Sequence, residues 1–189
     1  VHERYDVCAD EWDDPEADTR PLDNAVGNAA VFGGGAELPT CTGIEWEGSG
    51  SKYWTYSGGN QMFVRYDFAR DHGIGNDDHS DASEWRYAVS GVRYVPGIPS
   101  HLAWDPAGKR LYMADPGNAR VVGFDPSSAA EQTPMSAGDN VDALAVAMDV
   151  AGAKVEDFVP ASYGLKLPSG VELHERRLYV SDNETGIIH

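Results

Sequence analysis

The chain has 189 residues, enough for one ordinary domain with its own core. It carries 31 acidic and 14 basic residues, for a formal charge of −17. That balance opposes nucleic-acid binding, which needs a basic stripe to displace counterions, and adsorption to an anionic membrane. In chain order, "RYDV" (Arg4–Val7) reads as a short strand, 9–27 as an acidic, turn-rich loop, and "NAAVF" (28–32) as a further strand. No apolar run is long enough to cross a bilayer, so membrane insertion is not expected.

From Thr42 the pattern becomes regular. Ile44 and Trp46 alternate around Glu45, as a half-buried strand requires. The turn "EGSGSK" follows, then a Tyr- and Trp-rich strand. The turn "SGGN" and a third strand ending near Asp67 complete the phrase. "EWRYAVS" (84–90) supplies a fourth strand. The phrase returns at an offset of 58: Leu102 stands for Ile44, Trp104 for Trp46, Leu111 for Tyr53, Asn118 for Asn60 and Asp125 for Asp67. Its fourth strand is "KVEDFV" (154–159). A third copy starts at Ser169, where Leu178, Tyr179 and Asp182 match Leu111, Tyr112 and Asp115. The turns "SGGN" and "DPGN" are expected to use glycine at positive φ and asparagine in the left-handed region, which makes Asp115, Asn118 and Asp182 turn residues.

Repeated units of four antiparallel strands describe an all-β propeller, in which each unit shields its neighbour. The expected organisation has third and fourth strands with an acidic loop in 1–33, one blade in 42–90 and a second in 100–159. A long insert occupies 126–153, and a further blade starts in 169–189. Within the insert Val141, Leu144, Ala145 and Met148 recur at helical spacing, predicting a short helix capped near Asp139.

"PSHLAWDPAGKRLYMADPGNARVVGFD" and "LPSGVELHERRLYVSDNETGII" resemble the NHL-repeat family. The shared features are the Pro–small–Gly–apolar opening, the Leu-Tyr-Val-x-Asp strand, and the Gly-Asn turn into an apolar strand. The resemblance implies a six-bladed ring of which this chain supplies about half. The chain is then expected to be a fragment completed by remaining blades of a larger protein, or alternatively by a second copy. In that architecture the first strand of each blade lines the central channel. His101 takes the place of Gly43 and Gly170, so His101, Ser100, Thr42 and Ser169 are the candidate ligand or metal residues at the channel mouth. A lyase branch of the family holds zinc through a histidine at the strand opening, one place earlier, where this chain has Ser100. His174 is expected at the opposite end of its strand.

The loop "DHGIGNDDHSD" offers Asp71, Asn76, Asp77, Asp78 and Asp81, oxygen ligands of the kind calcium uses, without EF-hand spacing. His72 and His79 would need a third ligand from elsewhere to hold zinc. Cys8 and Cys41 are compatible with an oxidising compartment, so an extracytoplasmic location, periplasmic or secreted, is expected. Topology places the two cysteines about 15 Å apart, beyond the ~7 Å Cα limit of a disulfide. No catalytic set converges by spacing. The expected function is a rigid binding or scaffold module for a protein, peptide or glycan. The alternative is a metal-dependent lyase- or lactonase-like enzyme working at the channel mouth.

Overall fold

A computed structural model describes residues 4–6, 11–13, 41–70, 80–135 and 144–189. The described residues are all-β, with several sheets and no α-helix. Strands β1 (Arg4–Asp6) and β2 (Glu11–Asp13) form an antiparallel pair. The second of these lies in the stretch expected to be loop; its three residues, Glu11, Trp12 and Asp13, are too short a run to show a period. The strand expected at 28–32 lies outside the described residues, as do Cys8 and the question of its pairing with Cys41.

A four-strand antiparallel meander follows: β3 (Cys41–Trp46), β4 (Lys52–Ser57), β5 (Met62–Asp67) and β6 (Ser83–Ala88). The second sheet repeats it with β7 (Leu102–Asp105), β8 (Arg110–Asp115), β9 (Arg120–Phe124) and β12 (Val155–Val159). The third sheet holds β13 (Pro168–His174), β14 (Arg177–Asp182) and β15 (Ile187–Ile188). The expected fourth strands in 84–90 and 154–159 are therefore present.

The insert behaves differently from the helix predicted for it. Strands β10 (Glu131–Pro134) and β11 (Val146–Ala151) form an antiparallel hairpin, and β11 pairs in parallel with β6 of the first sheet. Met148 stands opposite Trp85 in that ladder. Pairing with a ready-made sheet edge supplies each residue with an external backbone partner, which outweighs a weak helical period. Asp139 and Val141 lie outside the described residues. The segment thus joins the second unit to the outer edge of the first.

Alternation sorts the side chains. In the first sheet Trp54, Tyr56, Phe63 and Tyr87 face the second sheet. Leu102, Leu111, Met113, Val122 and Phe124 meet them from the other side. Phe124 stacks on Phe63 at 4.4 Å with planes 12° apart, and Trp54 and Tyr87 present edges to it. The opposite face of the second sheet, Tyr112, Ala114 and Val121, packs on Val171 and Val180 of the third. Ile44 and Trp46 occupy the register positions of Leu102 and Trp104 but are 49% and 51% exposed. They belong to none of the apolar clusters among the described residues, although Val64 and Tyr66, in line with them across the ladder, pack with Met62, Phe68 and Ala82.

Asp115 and Asp182 end the second strand of their sheets and do more than shape a turn. Asp115 is fully buried and accepts from the Arg93 backbone N–H at 2.9 Å, Asn118 Nδ2 at 2.8 Å and Arg120 Nε at 2.8 Å. Asp182 accepts from the backbone N–H groups of Lys166, Leu167, Glu184 and Thr185. Each carboxylate thereby ties the strand end to the segment leading into its own sheet. Those segments share a phrase: Gly91-Val92-Arg93 and Gly164-Leu165-Lys166, with both glycines at positive φ, Val92 and Leu165 buried, and the basic residue's N–H given to the aspartate. In the first sheet Ser57 holds this place, bonded by Asn60 at 3.1 Å.

The turns depart from the expected glycine chemistry. The left-handed residues are Gln61 and Ala119, equivalent positions one past the asparagine. Gly117 is needed for closeness instead: a Cβ there would meet the Arg93 carbonyl oxygen at 2.5 Å.

Asp115→Ala removes the buried acceptor for three donors, including one of the partners of the Arg120 guanidinium, so it should cost about 3 kcal/mol, read as a lower urea midpoint; Asp115→Asn should cost less. Asp182 gives a pH signature. Burial pushes its carboxyl up, but four backbone donors outweigh that and hold it below the ordinary carboxylate range. A depressed folded pKa means stability that is present above about pH 4 and lost as pH falls through the folded value. The stability lost between neutral pH and about pH 3, from urea midpoints followed by circular dichroism, should therefore be larger in the wild type than in Asp182→Asn.

Candidate binding cleft

The four predicted channel-mouth residues come together. The Ser100 N–H donates to the Thr42 carbonyl at 2.8 Å, and the His101 N–H donates to the Ser169 carbonyl at 3.1 Å. The openings of β3, β7 and β13 are thus laced by backbone bonds. Gly43 is held so closely that a Cβ would lie 2.0 Å from the Ser100 carbonyl oxygen. Ser100 is fully buried, Ser169 nearly so, Thr42 half-buried with its hydroxyl on the Tyr56 carbonyl, and His101 exposed. His174 lies at the far end of β13, beside the turn, as expected. Glu45, facing away from the apolar side of β3, accepts from the Trp104 N–H at 3.2 Å. Burial raises its pKa, the Trp104 bond opposes the rise, and Glu172 adds to it.

Among the described residues no group of three His, Cys, Asp or Glu side chains is placed to hold a metal. Of the predicted calcium loop, Asp71, Asn76, Asp77 and Asp78 lie outside the described residues. Asp81 pairs with Arg70 at 2.9 Å.

A concavity lies at the other end of these strands, between the first and second sheets. It is a cleft of about 610 Å³, within the roughly 300–1,000 Å³ usual for small-ligand sites. Its aromatic lining comes from three strands: Trp54 on β4, Trp85 and Tyr87 on β6, and Trp104 on β7. Trp54 is 1% exposed and forms the floor, stacked on Trp104 at 5.9 Å and 21°. Trp85 and Trp104 remain partly exposed, one from each sheet.

Polar groups flank the rings. Arg65 on β5 makes a two-pronged bond to Glu47, Nε to Oε2 at 2.6 Å and a terminal nitrogen to Oε1 at 3.1 Å. Its guanidinium also sits 5.0 Å from the Trp85 ring centre. Arg65 is therefore fixed on two sides by its cross-strand partner and by a turn residue. Lys109 and Gly108 come from the β7–β8 turn, and Asp125 and Ser127 from the turn after β9. The Asp125 carboxylate accepts from the Ser127 hydroxyl and N–H, which lower its pKa below the ordinary value against the weaker effect of burial. Burial raises the Tyr87 phenol, Arg65 opposes the rise and Glu47 adds to it, so it stays neutral at physiological pH.

None of these aromatics was singled out by sequence reasoning as part of a site. The available signal was four tryptophans within the first two repeat units, three of which, Trp54, Trp85 and Trp104, only the fold brings together. No family model matches the chain, and no curated protein is significantly similar to it.

The Arg65–Glu47 pair is largely withdrawn from solvent, each side chain being less than a fifth exposed. A double-mutant cycle with Arg65→Met and Glu47→Gln should give a coupling energy of about 1 kcal/mol, measured by urea unfolding of the four proteins.

Proposed function

We propose that this chain is part of an NHL-type propeller and works as a rigid binding module, with the aromatic cleft between the first and second sheets as its recognition site. The single observation that carries the binding reading is the placement of three tryptophans, a tyrosine and a fixed Arg–Glu pair around one open cleft. The propeller reading is supported by units of like register set side by side, with β3 next to β7 and β7 next to β13.

The repeat itself argues that the cleft is more than scaffold. At the next junction, between the second and third sheets, the corresponding positions carry different residues. Tyr112 replaces Trp54, Gly123 replaces Arg65, Asp105 replaces Glu47, and Glu156 stands where Trp85 stands in the ladder. There Phe158 closes over Tyr112 at 4.4 Å and Arg110 crosses Gly123 to reach Glu156 at 2.7 Å. Packing between units thus needs neither tryptophans nor the Arg–Glu clamp.

The enzyme reading rests on His101 and the buried strand openings, and would draw a metal ligand set from outside the described residues. The two readings separate experimentally. Labelled protein overlaid on peptide and glycan arrays should retain one class of ligand, lose it in Trp104→Ala, keep it in His101→Ala, and leave the ligand mass unchanged. Conversion of a ligand that requires added zinc or calcium and disappears in His101→Ala would instead establish the enzyme.

A further inference from the structure

We propose that the ligand of this cleft is a neutral oligosaccharide of pyranose units, an inference that rests on reading the cleft as the binding site. Pyranose rings carry a face of C–H groups that lies flat on an indole, and hydroxyls at the rim that both donate and accept. The cleft presents that combination. Trp85 and Trp104 offer partly exposed rings, one from each sheet. Around them stand two acceptors, the Glu47 and Asp125 carboxylates, and two donors, Arg65 and Lys109.

The charge count selects a neutral ligand. Two carboxylates face two cations, so the cleft has no excess to spend on an ion. A polyanion would in addition meet the field of a chain carrying −17. A purely apolar ligand would cover four charged groups without bonding them, which is costly. A peptide bound by strand addition needs an unpaired sheet edge; the edge strand lining the cleft, β7, already gives its Trp104 N–H to the Glu45 carboxylate, and the other walls are side chains of interior strands and turns. The clamp on Arg65 and the Ser127 bonds on Asp125 hold two of the polar groups in place before a ligand arrives, which lowers the ordering cost of binding.

The test uses the tryptophans as reporters, since three of the chain's five line the cleft. The protein is titrated with cellohexaose, maltohexaose, xylohexaose and mannohexaose, with polygalacturonate as the anionic control, and followed by tryptophan emission and calorimetry. At least one neutral hexasaccharide should shift the emission saturably, and polygalacturonate should not. Trp104→Ala should weaken that binding about tenfold or more. Lys109→Gln, at an exposed turn, should weaken it several-fold with the unfolding midpoint unchanged, and this keeps the test decisive if the tryptophan variant folds poorly. Absence of binding by every neutral sugar overturns the inference, as does binding that neither variant weakens. If the sugars fail while a peptide on the array binds in a Trp104-dependent way, the cleft stands as the site and the saccharide assignment falls. If no array ligand depends on Trp104, both fall.

Discussion

Phe124 lying flat on Phe63 is the contact from which the rest of the arrangement follows. A sheet with apolar side chains on both faces cannot remain alone in water, and the second sheet is of that kind: Met113 and Phe124 point one way, Tyr112 and Val121 the other. The Phe63–Phe124 stack sets how closely its first face approaches the neighbouring sheet. Trp54 and Tyr87 then turn edge-on around Phe124, and these same two residues reappear in the cleft wall. The cleft is the place where this aromatic interface stops being closed. Its shape is set by core packing rather than by loop conformation, so changes at Phe124 or Phe63 reach the site without touching it.

The polar side of the architecture is handled by buried aspartates. A segment crossing from one sheet to the next leaves backbone N–H groups that no ladder can satisfy. Asp115 and Asp182 take them up from inside, and Arg120 reinforces Asp115 by also reaching the Gly91 carbonyl and Asp157 of β12. Burial lowers the affinity of Arg120 for its proton, yet the Asp115 and Asp157 carboxylates more than offset this. One ion network thus fastens the second strand, the third strand, the fourth strand and the incoming linker of a single unit.

Much of the strand pattern was legible because it is local. Alternation of Leu102 and Trp104 around Ala103, and the return of the phrase 58 residues on, each follow from the period of a pleated strand. The hairpin β10–β11 was not legible, since its decisive partner is β6, more than sixty residues earlier, and Val141, Leu144, Ala145 and Met148 carry a helical spacing that says nothing of that edge. The role of Asp115 was only half visible. Its place before Pro-Gly-Asn marks a turn, but the Arg93 N–H that it accepts belongs to a segment with no period. The cleft was hidden for the same reason: Glu47, Trp85, Trp104 and Ser127 come from four separate segments, and Trp54 reads as an ordinary core position of a strand, which in large part it is.

That double role of Trp54 bears on how recognition would be coupled to the fold. It is buried to 1%, wedged against Trp104 of the next sheet and against Phe124 beneath. A ligand seated on Trp104, as proposed, would press on a ring whose other neighbour is the inter-sheet core, and polar contacts to Arg65 and Lys109 would bridge the same two sheets. In the proposed binding mode, binding energy spent there would go into holding the first and second units together. The β10–β11 hairpin already performs that task at the outer edge, where β11 runs beside β6 and brings Val150 into the shared core. The junction is therefore fastened by backbone pairing at its outer edge and left to side chains at the cleft end, and only side chains of the latter kind could be shared with the proposed ligand.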